Sequence, residues 1–221
     1  MKIKKSAAAL LAALGLTAVV TPALSYEAGD IIVRGRIINV NPQDDSGLIS
    51  INGLAQGGTS VSVDSDTVPE LDFTYMIDRN WGLELILAYS EHNVNTALAG
   101  LGDIAEVKVL PPTLTLQYHF SPDSNIRPYV GAGLNYTYFF SEDVTGALNP
   151  GTADIKLDDS WGLAAQAGVD IDVSEDWFVN FDVKYIDIST DAHITNSLVG
   201  TVDVDVDIDP IVWGVGIGRR F

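Results

Sequence analysis

The residues of this chain that could do chemistry are charged side chains at alternate positions, a proline pair and three histidines. Arg34, Arg36, Asp72, Glu84, Asp170, Asp182, Lys184 and Arg220 each sit within apolar-patterned stretches. In extended chain, residues two apart share a face, so these side chains are expected to collect in one interior. There they would either define a conducting path or pair off and fill a narrow barrel, and both readings are open. Pro111 and Pro112 have no N–H, and a sheet interior normally excludes such residues. Together they either end a loop or break a wall sideways. Residues 202–209 read VDVDVDID, an acidic ladder that is either a solvated face or a collector of divalent cations. His92, His119 and His193 are the histidines, and acids such as Glu91 and Asp191 lie near two of them. No nucleophile, base and orienting group accompany them, so an enzyme is not expected. No cofactor is implied.

The elements that must hold these residues are strands. In 107–143, Leu110, Pro112, Leu114, Leu116, Tyr118 and Phe120 share one parity, with Thr113, Thr115, Gln117 and His119 opposite. After the turn SPDSNI, Val130, Ala132, Leu134, Tyr136, Tyr138 and Phe140 alternate with Tyr129, Gly131, Gly133, Asn135 and Thr137. This period of two marks a pair of strands. The apolar face is long, uncharged and tipped with aromatics, and the other face is small and polar. A strand facing lipid outward and a polar lumen inward has that pattern.

The same alternation recurs at 29–40, 68–77, 81–90, 160–173, 177–188 and 204–221, giving eight strands. Long connections at 41–66, 91–106, 144–156 and 190–203 alternate with tight turns at 78–80, 121–126 and 174–176. An even strand count with long loops at one end and short turns at the other predicts an all-β, eight-stranded antiparallel transmembrane barrel of the outer-membrane type. Pairing the first strand with the last removes the edge that lipid cannot tolerate. Bacterial barrels keep short turns in the periplasm, so both termini are expected there and the long loops outside the cell. Trp81, Phe120 and Trp177 border short turns and predict an aromatic girdle. On the last strand Trp213, Ile217 and Phe221 point outward and form the expected insertion signal. Arg219 shares their parity and can snorkel to the interface.

The chain has 221 residues and no cysteine, so disulfides cannot staple it in an oxidising compartment. Residues 1–25 carry Lys2, Lys4 and Lys5, then an apolar stretch, then Ala23-Leu24-Ser25. That order predicts a removed signal peptide and a barrel domain over 26–221. Without those three lysines, the 12 basic residues become 9 against 30 acidic ones, a net charge of −21. Nucleic acid is therefore not an expected partner.

Several stretches resemble the OmpW/AlkL family of small outer-membrane channels. They are Glu27-Ala28-Gly29, Leu110-Pro111-Pro112-Thr113-Leu114, RPYVGAGLNY at 127–136, Asp159-Ser160-Trp161-Gly162, Gly168-Val169-Asp170, Asp176-Trp177, Tyr185-Ile186-Asp187-Ile188 and Asp209-Pro210. The resemblance implies a narrow apolar passage for small hydrophobic molecules. It implies a constriction at Ile86 and at Lys184, where the family has a tryptophan. The expected partners are outer-membrane lipid and lipopolysaccharide, small hydrophobic solutes, and the periplasmic chaperones and insertion machinery that handle barrels. The alternative function is a structural, receptor or adhesion barrel whose lumen is plugged by pairs such as Arg34 or Arg36 with Glu84 or Asp72.

Overall fold

A computed structural model describes residues 25–55, 61–96, 102–144, 153–196 and 200–221. The proposed signal segment therefore lies outside the described residues, apart from Ser25. Eight antiparallel strands form the barrel. They are β1 (Ile31–Asn41), β2 (Asp66–Met76), β3 (Trp81–Ala88), β4 (Thr113–His119), β5 (Ile126–Val144), β6 (Ser160–Asp172), β7 (Trp177–Ile186) and β8 (Ile211–Arg220). Each pairs with its sequence neighbour, and β1 pairs with β8 from Ile32↔Arg220 to Asn41↔Ile211. The ring is closed, so every barrel strand has two neighbours.

The alternation in the sequence sets which face points where. Leu83, Leu85, Leu114, Leu116, Val130, Leu134 and Phe181 are exposed on the outside, while Thr74, Glu84, Thr115, Gln117 and Asn180 are buried inside. In water each exposed Leu or Phe would forgo about 1.5–3 kcal/mol of burial. A full belt of them suits a hydrocarbon surround. Rings edge the belt near the short turns, where the Tyr118 ring lies 5.0 Å from that of Trp81 and 5.2 Å from that of Phe120. The Arg219 guanidinium lies over Trp177 at 5.4 Å and over Phe221 at 4.8 Å. The interface thus holds this cation against aromatic faces. A second set, including Tyr136 against Trp161 at 4.7 Å, marks the opposite border.

The long connections are not simple loops. Ser90–Thr96 pairs with Gly102–Leu110, and Ser189–Asn196 pairs with Gly200–Asp207 and Ala153–Leu157. Strands predicted to end near residues 90 and 188 instead resume beyond short breaks. The ladder is interrupted at 89, 111–112, 158–159, 187–188 and 208–210. Pairings Thr113↔Ile86, Thr137↔Ser160 and Tyr185↔Ile211 put these breaks at about one level of the wall. Above them the outer strands form two sheets that pack on each other. Ile49, Val61, Ala192, Val204 and Val206 form one core between them, and Ile104, Ala105, Ile155 and Ile194 form another. In the acidic run Val204 and Val206 are buried, Asp205 and Asp207 are exposed and Asp203 is half-buried, so the ladder of acids is a strand with an apolar inner face.

Two groups on that outer hairpin carry a pH prediction. His193 lies 2.7 Å from Asp203, its cross-strand partner, and the hydrogen bond to that carboxylate raises the imidazole pKa. A raised folded-state value means the stabilisation is complete below the ordinary value of about 6.5. It is lost as pH rises through the folded value. An NMR titration is expected to place His193 above an unperturbed histidine, and Asp203→Asn is expected to bring it back down. An unchanged titration in that variant would show that the pair is not formed.

Candidate functional site

The lumen is divided into a charged layer and an apolar cavity. Arg34 and Arg36 from β1 stand at its centre. Arg34 Nη2 is 2.7 Å from Asp170 and Nη1 is 3.3 Å from Glu84, with Thr74 accepting from Nη1 at 2.7 Å. Arg36 reaches Glu70 at 2.8 Å, Asp72 at 2.5 Å and Asp182 at 3.5 Å. Lys184 Nζ donates to Glu70 and to Asp182, each at 2.8 Å. Gln117, Gln166 and Thr115 donate to Glu84 Oε2 at 2.8, 2.7 and 3.2 Å. The Tyr129 hydroxyl donates to Asp182 at 2.8 Å. These charged groups are at most 6% exposed. Isolated ions at that depth would cost several kcal/mol each, so only mutual pairing lets them stay.

Small lumen residues make room for the large ones. A Cβ on Gly168 would come within 2.4 Å of the Tyr129 ring, and one on Gly218 within 2.2 Å of Phe178. Toward the short turns, the Tyr26 side chain fills the barrel's end. Its hydroxyl donates to Asp170 at 2.9 Å, its ring meets His119 edge-on at 5.3 Å, and Arg127 lies over it at 4.4 Å. Arg127 is in turn paired with Asp172.

Above the charged layer the lumen opens into a cavity with about 810 Å³ of empty space, partly open to the surroundings. Its walls include Ile38, Val109, Phe139, Ile186 and Val212, while Glu70, Lys184 and Ile86 form its charged-layer side. A second apolar cavity, with about 430 Å³ of empty space and likewise partly open to the surroundings, lies between the two outer sheets. Val63, Val94, Val107, Leu157 and Ile208 line both, so the two spaces adjoin.

The wall of the lower cavity is weakened at the prolines. Pro111 lines the cavity. Its carbonyl is taken by the side chains of Thr113 and Asn135, at 3.1 and 3.3 Å, rather than by the strand ladder. Tyr136 N–H donates to the Pro112 carbonyl at 3.1 Å, and Pro112 has no N–H to return the bond. Pro42 and Pro210 also border this cavity, so donors are missing at the β1–β8 seam as well.

A match to the OmpW family model runs over residues 27–221. The chain belongs to the OmpW family. Outer membrane protein W of Vibrio cholerae is 40% identical over 206 residues, covering 90% of this chain and 92% of that protein. The crystal structure of OprG from Pseudomonas aeruginosa superposes with a TM-score of 0.86 at 42% identity, covering 89% of this chain and 98% of that one. Outer membrane protein AlkL of Ectopseudomonas oleovorans is 31% identical over 201 residues, covering 89% and 84%. Like these relatives, this OmpW-family chain is an outer-membrane barrel.

The residues singled out by sequence fall into separate places. Arg34, Arg36, Asp72, Glu84, Asp170, Asp182 and Lys184 meet in the charged layer. Arg220 does not join them, and instead lies near the short turns, 3.9 Å from Asp30 and 3.8 Å from Asp176. Ile86 sits where the charged layer meets the cavity. Trp213, Ile217 and Phe221 are exposed on the outer face of β8 and beyond its end. The histidines are scattered. His119 lies against Tyr26, His193 is on the outer hairpin, and His92 is at the cavity rim. There His92 Nδ1 is 2.7 Å from the Asp64 carbonyl and Nε2 is 2.9 Å from Ser90 Oγ. A carbonyl can only accept, so Nδ1 carries the proton and Nε2 accepts from the Ser90 hydroxyl.

Lys184 takes one carboxylate partner, Asp182, from its own strand and the other, Glu70, from β2 across the lumen. Glu70 precedes Asp72 by two residues, so its inward parity was legible. Tyr129, Gln166 and Asn180 had the same signal. Tyr26 had none, because it precedes the first strand.

Proposed function

We propose that this barrel takes small apolar solutes from outside the cell into its cavity and releases them sideways into the outer membrane. One observation carries the reading: an apolar cavity stands on a buried, ion-paired charged layer, beside a wall short of backbone donors. A solute in such a cavity has no apolar route downward past Arg34 and Arg36. Through the wall it reaches lipid without crossing the aqueous periplasm. The upper cavity between the outer sheets supplies the entrance, with the long hairpins outside the cell and the short turns in the periplasm. Lipopolysaccharide carries charged sugars that obstruct direct partition, so an apolar conduit through that layer has a use. The family resemblance, which implies passage of small hydrophobic molecules, supports the same reading. Ile86 and Lys184 then mark the lower limit of the path, and Pro111 and Pro112 the exit.

Accumulation of a labelled alkane or a naphthalene-like solute, compared in cells with and without the protein, tests this directly. Faster uptake is expected with the protein present. Equal rates with the barrel folded and inserted would overturn the reading. They would leave a structural or surface-interaction barrel as the remaining account.

A further inference from the structure

We propose that the cavity prefers apolar molecules bearing one uncharged oxygen head, such as an alcohol or ketone, and seats that head on Lys184; this rests on the uptake reading above. The walls offer hydrocarbon almost throughout; His92 and Ser90, bonded to each other, stand at the rim, and the ion-paired groups gather at the charged-layer end. Glu70 and Lys184 border the cavity there, with Thr113 close by. An ammonium group has three donors and no acceptor. Two of the Lys184 protons go to Glu70 and Asp182, both at 2.8 Å. Among the described residues no acceptor is found for the third, and Lys184 borders the cavity. A ligand oxygen placed there would accept a charge-assisted bond, stronger than a neutral one.

Charge at the floor rejects ionised heads. Arg34, Arg36 and Lys184 already face Glu70, Asp72, Glu84, Asp170 and Asp182 in one buried network. A carboxylate head would be a sixth acid against three bases. An ammonium head would have to lie beside Lys184 itself. Either ion would shed its water on entering a cavity walled almost wholly by hydrocarbon. A neutral oxygen loses far less on entering and gains the third proton of Lys184. The expected solute is therefore an oxygenated hydrocarbon rather than a bare one, and a class of reactions that oxidises or reduces such a head would consume it.

The test uses the full mature barrel refolded in lipid nanodiscs, with labelled isoleucine methyls and labelled lysine nitrogens. Hexane, 1-hexanol, hexanoate and hexylamine are the probes, each compared at equal content in the membrane. Hexanol is expected to move the Ile86 and Ile186 methyls and the Lys184 nitrogen. It should half-saturate at about a tenfold lower level than hexane, the size of one charge-assisted hydrogen bond. Hexanoate and hexylamine should leave these signals in place. In Lys184→Met the hexanol-to-hexane ratio should fall to near one. Should that variant not fold, Lys184→Met combined with Glu70→Gln removes one charge of each sign, and the wild-type probe series also decides by itself. Equal binding of hexane and hexanol by the wild type, or a preference that survives loss of Lys184, would overturn this proposal while leaving uptake standing. No response to any probe would overturn both.

Discussion

Replacing Arg34 with Met is expected to destabilise the barrel by about 3–5 kcal/mol, the usual cost of stranding a buried partner charge. Arg34 is fully buried and contacts Asp170 and Glu84, which lie on strands β6 and β3. Met fills similar space but leaves Asp170 without a cation and Glu84 with only Arg36, at 3.6 Å. The hydrogen bonds from Gln117, Gln166, Asn180 and Tyr26 remain, and they cannot neutralise the charge. Urea unfolding of the refolded protein in lipid measures the loss. Arg79, paired with Asp123 at the exposed short turns, is the control. Arg79→Met is expected to cost under about 1 kcal/mol, because solvent screens that pair. A loss at Arg34 no larger than at Arg79 would mean that the charged layer does not hold the lumen closed.

Replacing Pro111 with Val and Pro112 with Thr is expected to slow uptake of apolar solutes with the barrel still inserted. Each substitution returns an N–H to the wall. Pro112 already accepts from Tyr136 N–H, so a donor at 112 would complete that exchange with β5. Two backbone bonds at about 1 kcal/mol each would lower the open population of the wall by roughly thirtyfold. Uptake should fall by roughly tenfold or more if sideways release limits the rate. The same cell accumulation assay reads it, with heat-modified gel mobility reporting that the barrel is folded. Undiminished uptake in the double variant would place the exit elsewhere. The β1–β8 seam at Pro42 and Pro210 is then the next wall to close, since both prolines border the same cavity.

Much of the molecule is legible in the chain itself. Which side chains face the lumen follows from alternation, a property of single strands, so Glu84, Asp170, Asp182 and Lys184 could be assigned inward from their parity alone. Strand number and the order of short and long connections came from the same local signal. The long connections at 91–106, 144–156 and 190–203 read as loops because their Gly, Ser, Thr, Asn and Asp content is that of turns, yet Ser90–Thr96, Gly102–Leu110, Ala153–Leu157 and Ser189–Asn196 are strands held by pairing with one another and with Gly200–Asp207.

What tertiary structure alone decided is who meets whom across the ring. Lys184 and Glu70 are 114 positions apart in sequence, and they face each other because closure through β1 and β8 fixes the stagger of every strand. No window of sequence contains that stagger, because it is a sum over all the pairings around the barrel. The position of Tyr26 is the same kind of fact, since its hydroxyl reaches an acid on a strand 144 positions away. The division of the lumen into a buried, ion-paired charged layer and an apolar cavity also depends on height along the barrel axis. Parity tells inside from outside, but only the assembled register tells one level of the lumen from the next.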